Sequence, residues 1–245
     1  MELIKYLGNW LDYQLKIRER KGYVLGVSGG VDSVTLAKLL SFKKIQYKAI
    51  HIIYTEDEKN DDIINYFRED KDLNIEIFEA KNLFSAFMKT VDKNILTGDS
   101  LNLMEANIKA RIREALFYNY ANIHQLLVIG TVNKVEFNLG YFVKNSSIGD
   151  ILPFADLPKD EIRNLAKTLG VPNMIADRKA SGCVNKKYAE DEWGIKEGIL
   201  NSIIRNSINN VEPIEFKGYY SMYIKSQHKR EYPPVFKWKE DYTID

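Results

Sequence analysis

The stretch "VLGVSGGVDSVTLAKLL", from Val24 to Leu40, constrains the fold more than any other part of the sequence. An apolar run typical of a buried strand leads into two adjacent glycines, and a helical pattern follows from about Ser33 to Phe42. A strand that turns sharply into a helix is a typical unit of a parallel α/β sheet. The small residues of the turn also allow the backbone to approach a ligand closely.

Further strands are predicted by apolar runs at Tyr47–Tyr54, Leu73–Glu79 and Gln125–Thr131. Helical patterns separate them, and strands joined through helices form parallel crossovers. The sequence therefore predicts an α/β fold with an open, doubly wound, mostly parallel sheet. The absence of a repeat or linker in the sequence favours a single domain over residues 1–245.

The helical patterns include an N-terminal helix at residues 2–20 and a long helix from about Ser100 to Tyr120. Residues 132–158 contain two glycines and two prolines and are predicted to be mostly loop. Residues 177–191 are polar and aperiodic, and a long irregular segment of this kind is typical of a functional loop such as a lid.

The composition excludes several classes of protein. Lysine and arginine number 35 against 34 acidic residues, so the net charge of +1 gives no global attraction to nucleic acid or to an anionic membrane. A single cysteine, Cys183, excludes an internal disulfide and a Cys-x-x-Cys metal site, which favours the cytoplasm. Charges interrupt the N-terminal segment every few residues, and this pattern fits neither a signal peptide nor a membrane span.

The glycine turn resembles a phosphate cradle, but it matches neither common form. No lysine precedes Ser33, as a Walker motif requires, and the glycines have the wrong spacing for a dinucleotide fingerprint. Backbone amides and serine hydroxyls beside a helix N-terminus still favour an anion. Asp32 would repel a phosphate unless a divalent cation lay between them, so the turn predicts a nucleotide bound with Mg²⁺.

The motif "SGGVDS" resembles the pyrophosphate loop of the N-type ATP pyrophosphatase superfamily, whose fold is similar to that of the adenine nucleotide alpha hydrolases. Within it, "NIKARIREALFY", "IGTVNKVEFNLGYFVK", "GDILPFADLPKDEIRNLAKTLGVP", "RKASGCV" and "SQHKREYPPVF" resemble, in order, the motifs of ammonia-dependent NAD synthetases. The resemblance runs from Val24 to about Phe236. It implies a ligase that uses ATP to adenylate deamido-NAD, releases pyrophosphate, and lets ammonia displace AMP to give NAD.

The resemblance also implies roles for individual residues. Asp32, Glu136 and Lys159 would carry the catalysis, with Asp32 and Glu136 binding Mg²⁺. ATP would be bound by the glycine loop, by a threonine after the fourth strand, by a lysine at a helix start and by a serine of "RKASGCV": Gly26, Ser28, Gly29, Gly30, Val31, Asp32, Ser33, Thr131, Lys159 and Ser181.

Deamido-NAD would contact residues of the long helix, the segment after the fourth strand, and a C-terminal tail at about 210–245: Asn107, Arg111, Lys144, Asp150, His228 and Lys229. Arg111 offers a fixed fork of donors for a carboxylate or phosphate. By resemblance the protein would be a homodimer whose substrate pocket is shared between subunits. Ammonia is the expected nitrogen source because a glutaminase requires its own catalytic cysteine. The single cysteine, Cys183, lies in "RKASGCV", the segment that by resemblance contacts ATP.

Two alternatives stay open at this point. The pyrophosphate loop alone also fits a tRNA-modifying ligase or a GMP synthetase core, although such tRNA enzymes should show a basic appendage or paired cysteines. A catalytically weakened nucleotide-binding protein is the other alternative. It is motivated by Asn145–Ser147, which stands where the family has an aspartate close to the ammonia site.

Overall fold

The computed structural model describes residues 1–55, 62–91, 98–146, 148–182, 188–207 and 211–236. Its strands are β1 (Tyr23–Gly26), β2 (Tyr47–Ile53), β3 (Ile75–Glu79) and β4 (Leu127–Ile129), which form one sheet in the order β3-β2-β1-β4. All three pairings are parallel, with Tyr23 opposite both Tyr47 and Leu127. The predicted open, parallel sheet is therefore confirmed.

The described helices alternate with these strands and then continue alone after β4. They are α1 (Glu2–Ile17), α2 (Val31–Phe42), α3 (Asp62–Glu69), α4 (Lys81–Lys89), α5 (Asp99–His124), α6 (Lys134–Leu139), α7 (Lys159–Thr168), α8 (Asn173–Ala176), α9 (Ala189–Trp193), α10 (Glu197–Ile204), α11 (Pro213–Lys225) and α12 (Gln227–Arg230). Among the described helices, none is long and apolar enough to cross a membrane.

The alternation of side chains along β1 divides the core between the two faces of the sheet. Tyr23 and Leu25 point into one cluster with α1, α2 and α7, whereas Val24 points into the other with α5. Both clusters consist of buried residues, so the sheet is covered on both faces, as an all-parallel sheet requires. A third cluster joins α6, α9 and α10, with α11 packed against it.

Two details of the structure correct the sequence interpretation. The described residues of 132–158 are mostly loop, as predicted, but they include α6, which begins at a capping box formed by Asn133 and Glu136. The fourth strand is shorter than Gln125–Thr131, because α5 continues to His124 and ends at Gln125 in the left-handed conformation (φ 58°).

The topology gives the sheet one switch point. The chain moves outward from β1 to β2 and β3, and then returns to place β4 on the other side of β1. The connections after β1 and β4 therefore leave the sheet in opposite directions and open a crevice at the carboxyl ends of these strands. Open α/β sheets bind their ligands in such a crevice.

Candidate active site

The loop "SGGVDS" leaves β1 at this crevice and is held by its own hydroxyls. The Ser28 amide donates to Ser33 Oγ (3.1 Å), and Ser33 Oγ donates to the Gly30 carbonyl (3.0 Å). Gly29 has a φ of +84°, and a Cβ there would lie 2.5 Å from Ile63 Cγ2. Because α2 begins at Val31, its unpaired amides and the positive end of its dipole face this loop.

A buried charged cluster lies beneath the loop. Lys159, the first residue of α7, donates from Nζ to Asp32 Oδ2, and Asn133 Nδ2 donates to the same oxygen at 3.3 Å. The three residues are 5%, 8% and 1% exposed, respectively. Asp32 Oδ1 is buried and has no hydrogen-bond partner among the described residues. One oxygen of a buried carboxylate thus keeps its full capacity to bind a cation.

Glu136 is the second carboxylate of this cluster. Its Oε2 accepts from the Asn133 amide (3.2 Å), so the capping box of α6 also fixes the carboxylate. Burial raises the pKa of Glu136 to about 7, with the nearby Lys159 opposing this shift and Asp32 adding to it. Burial alone would lower the pKa of Lys159, but Asp32 and Glu136 raise it, so the lysine is held as a cation.

This donor set matches the way in which proteins bind Mg²⁺ with a nucleotide. The described residues contain no group of three or more histidine, cysteine, aspartate or glutamate side chains that could enclose a metal by themselves. Mg²⁺ usually takes one or two carboxylates and completes its coordination with water and substrate phosphates. Asp32, with its unpartnered Oδ1, and Glu136 fit that pattern.

A cavity of about 470 Å³ adjoins the loop at the carboxyl ends of β1, β2 and β4. Its walls include Gly26, Ser28 and Thr131, which are three of the residues predicted to bind ATP. His51 also lines it, and its Nδ1–H donates to the Val27 carbonyl (2.6 Å). Lys109 lies over the Tyr54 ring at 5.4 Å and adds positive charge to the same wall.

A second cavity, of about 520 Å³, shares Glu114 and Gly149 with the first. Asp150 lines the second cavity, and both its carboxylate oxygens are occupied: Oδ1 accepts from the Tyr118 hydroxyl (3.0 Å) and Oδ2 from the Val128 amide (2.7 Å). Gly149 has a φ of 64°, and a Cβ there would lie 2.6 Å from the Val128 carbonyl oxygen. Glycine is therefore required at the turn where the two cavities meet.

Residues of α12 and of the segment after it form one side of the second cavity. Lys229 Nζ donates to the carbonyls of Gly140 (2.7 Å) and Phe142 (2.9 Å), and burial lowers its pKa. Lys144 Nζ donates to the His228 carbonyl, while the His228 side chain is exposed. Lys144 and Lys229 both line this cavity, but in this structure their ammonium groups bind backbone carbonyls.

Four predicted ligand-binding residues outside the loop and the charged cluster lie elsewhere, and the exposed His228 is one of them. Arg111 is exposed on α5, and its guanidinium donates to the Asn107 carbonyl at 3.3 Å. Ser181 is exposed and forms an isolated bridge with Tyr188. Among the described residues, Asn107, Arg111 and Ser181 line neither cavity.

A sequence family model described as NAD synthase matches residues 3–233 of the chain. The chain belongs to the NAD synthase family. It is 33% identical over 222 residues to the NH(3)-dependent NAD(+) synthetase of Picrophilus torridus, which covers 87% of this chain and 86% of that protein. The enzyme of the same name from Archaeoglobus fulgidus is 34% identical over 223 residues, with 87% of each chain covered.

Solved structures of the NAD synthase family share the fold. The NMN synthetase of Francisella tularensis superposes with a TM-score of 0.85 at 25% identity, over 97% of this chain and 98% of that chain. The NH3-dependent NAD synthetase of Campylobacter jejuni gives 0.78 at 23% identity, over 96% and 98%. Family membership confirms a ligase that uses ATP, and it does not favour the other pyrophosphate-loop ligases or a weakened binding protein.

No sequence pattern singled out Lys109 and Glu114 as residues of this NAD synthase family site, although both line the first cavity. Lys109, Arg113 and Glu114 lie on the inner face of α5 and line the first cavity, although the "NIKARIREALFY" motif had drawn attention to Arg111. Residues two apart on a helix point to nearly opposite sides, so the inner and outer faces separate only when the packing of α5 is known. Cys183 and Ser147 lie outside the described residues.

Proposed function

We propose that the chain catalyses the ATP-dependent amidation of deamido-NAD to NAD, with ammonia as the nitrogen donor. The observation that carries the proposal is the cluster of Asp32, Lys159 and Glu136, which lies beneath "SGGVDS" at the switch point of the sheet. Curated members of the family to which the chain belongs are named NH(3)-dependent NAD(+) synthetases. A single domain over residues 1–245 and a cytoplasmic location stay predictions from the sequence.

In this proposal ATP occupies the first cavity, with its triphosphate on the loop. Backbone amides of Gly29, Gly30 and Val31, together with the Ser28 and Ser33 hydroxyls, would bind the phosphates that leave as pyrophosphate. Thr131 would contact the nucleotide from the end of β4, where it lines the cavity. Ser181 stays a predicted ATP ligand, although it does not line this cavity.

We also propose that Asp32 and Glu136 hold Mg²⁺ against these phosphates. The support is Asp32 Oδ1, a buried carboxylate oxygen without a partner among the described residues. Bound Mg²⁺ would supply positive charge to the departing pyrophosphate. Lys159 adds a second, fixed positive charge, because its pKa is raised and its ammonium is anchored on Asp32. The residues act by electrostatic preorganisation and not as a nucleophile.

Deamido-NAD would occupy the second cavity, with its nicotinate carboxyl near Gly149 where the cavities meet. A carboxylate oxygen attacks the α-phosphorus of ATP, and the bond to pyrophosphate breaks. Ammonia then attacks the acyl carbon, and the bond to AMP breaks. Asp150, Lys144 and Lys229 line this cavity. The two lysines bind carbonyls through only part of their ammonium groups, and each keeps at least one donor for the substrate.

One observation favours a second substrate. The structure with the TM-score of 0.85 is an NMN synthetase, and it superposes more closely than the NH3-dependent NAD synthetase of Campylobacter jejuni. Amidation of the mononucleotide would use the same acyl chemistry and differ only in the part of the substrate that lies beyond the nicotinate nucleotide.

The wild-type protein tests both candidates directly. With ATP, Mg²⁺ and ammonium, we expect deamido-NAD to be converted to NAD with one AMP released per NAD, and a chelator to stop the reaction. Initial rates with deamido-NAD and with nicotinate mononucleotide, measured by chromatography, give the ratio of kcat/KM. A ratio above one supports the dinucleotide. A ratio below one transfers the proposal to the mononucleotide, and absence of both products under saturating ammonium contradicts the amidation itself.

We propose a homodimer in which Arg111 serves the partner's substrate pocket. Arg111 points away from the cavities of its own chain, on a helix face that remains exposed. Exposed aromatic residues on α1, Tyr6, Trp10 and Tyr13, offer a further surface that a partner could cover. Sedimentation should give about twice the chain mass of 28.4 kDa.

Replacing Arg111 with alanine should raise the KM for deamido-NAD about 10-fold or more, because a charge-assisted hydrogen bond contributes about 1.5–3 kcal/mol. The KM for ATP should stay close to the wild-type value. Arg68→Ala, at an exposed arginine of α3, is the matched control and should change neither constant. A shift in the ATP constant alone would show that Arg111 belongs to the nucleotide side.

A further inference from the structure

Glu114 occupies a special place in the wall between the two cavities. It lines both of them, together with Gly149, and lies on the inner face of α5. The first cavity is where the nucleotide is proposed to bind, and the second is where the acyl substrate is proposed to bind. A side chain that lines both cavities therefore lies beside the point at which ammonia would attack the adenylated carboxyl.

Glu114 is also the carboxylate that keeps acceptor capacity at this junction. Asp150, its acidic neighbour, uses one oxygen for the Tyr118 hydroxyl and the other for the Val128 amide. Glu114 lies beside the backbone amide of Gly149, which satisfies at most one of its lone pairs. Of these two carboxylates, Glu114 is the better placed to accept hydrogen bonds from a small cation.

The surroundings of Glu114 favour the uptake of a proton. Burial raises its pKa, the Gly149 amide opposes the shift, Asp150 adds to it, and Arg113 on the same helix opposes it. Other charged or titratable groups face the cavities: His51, Tyr54 and Lys109 from the first, and Tyr118, Lys144, Lys229, Arg230, Glu231 and Tyr232 from the second.

We propose that Glu114 binds the ammonium ion and removes its proton, so that ammonia is released beside the acyl-adenylate. This inference rests on the proposed function. Ammonium has no lone pair and cannot attack; a carboxylate both attracts the cation and can take the proton. The proton passes to Glu114, the ammonia nitrogen bonds to the acyl carbon, and the carbon–oxygen bond to AMP breaks. The new nitrogen gives its second proton to the departing phosphate oxygen.

The test compares Glu114→Gln with wild type in two half-reactions. Exchange of labelled pyrophosphate into ATP, measured with deamido-NAD but no ammonium, reports adenylation and should be unchanged. The kcat/KM for ammonium should fall about 100-fold, within the usual range for loss of an acid–base group. Raising the pH converts more ammonium into free ammonia, so the rate of amide formation by the variant should rise about tenfold per pH unit. The wild-type rate should rise less steeply, because Glu114 already removes the proton at lower pH.

Hydroxylamine separates proton removal from a structural effect, because it is largely unprotonated at neutral pH. Glu114→Gln should form the hydroxamate almost as fast as the wild-type protein does. The control is Glu105→Gln, at a glutamate nine residues earlier on α5 that lines neither cavity; it should react normally with both nucleophiles.

Three outcomes overturn the inference. If Glu114→Gln keeps the wild-type kcat/KM for ammonium, Glu114 does not take the proton. If pyrophosphate exchange and both nucleophiles are slowed equally, its role is structural. If the wild-type protein itself forms adenylate but no amide from ammonium, the proposed function fails and the inference fails with it.

Discussion

Replacing Lys159 with methionine should lower the free energy of unfolding by about 3–5 kcal/mol and reduce adenylation at least 100-fold. The ammonium of Lys159 is paired with Asp32 at 5% and 8% exposure, and Glu136 lies beside them. Removing the lysine leaves the buried Asp32 carboxylate and the partly buried Glu136 carboxylate without the cation that lies beside both of them. Urea denaturation followed by circular dichroism measures the first effect, and pyrophosphate exchange measures the second.

Lys167 provides a matched control on the same helix. It forms an exposed pair with Asp177 at 3.2 Å, with about half of each side chain in solvent. Lys167→Met should change the free energy of unfolding by no more than about 1 kcal/mol. Adding Asp32→Asn to Lys159→Met should recover part of the lost stability, because one uncompensated charge is removed, but should not recover activity. Equal stability of the two lysine variants would contradict the role given to the buried pair.

The members of the cluster could be predicted from the sequence, Asp32 from its place in the glycine turn after a strand, and Glu136 and Lys159 from the resemblance of their motifs to the family. Asp32 follows β1, Glu136 follows β4, and Lys159 begins α7. The parallel pairing of β1 and β4 brings Asp32 and Glu136 to one edge of the sheet, and Lys159 joins them because α7 packs against α2. The structure gives the hydrogen bonds and ion pair of this cluster, whereas the roles of the three residues with ATP and Mg²⁺ stay predictions.

The residues that line the second cavity were harder to predict from the sequence than the charged cluster. Its residues come from one helix face, a segment after β4 and the C-terminal helices, and their mutual placement depends on tertiary packing. A sequence motif cannot show that the Asp150 carboxylate accepts hydrogen bonds from Tyr118 and Val128, or that the Lys229 ammonium donates to backbone carbonyls. The capping box of α6 is different: Asn133 and Glu136 stand three residues apart, and this spacing could have predicted the helix.

Glu136→Gln should make the protein more stable above pH 7 while lowering its activity. The folded state raises the pKa of Glu136 from 4.5 to about 7, chiefly through burial, so ionising this carboxyl opposes folding. The free-energy cost of ionising Glu136 in the folded protein is absent below about pH 4.5, grows as the pH rises to about 7, and is constant above that value. Glutamine removes it and still accepts the Asn133 amide, so at pH 8 the gain should be on the order of 2–3 kcal/mol.

The measurement is urea denaturation of both proteins at pH 5 and pH 8, combined with pyrophosphate exchange at pH 8. The stability difference should be small at pH 5 and large at pH 8, and exchange should fall about 100-fold if Glu136 holds Mg²⁺. Glu215→Gln is the control, since Glu215 has the same capping-box position in α11, where its Oε2 accepts from the Glu212 amide (3.0 Å). A gain that is equal at both pH values would mean that ionisation of Glu136 does not oppose folding. A gain in stability with unchanged exchange would remove Glu136 from the metal site, because the loss of a carboxylate that binds the Mg²⁺ used in adenylation must slow pyrophosphate exchange.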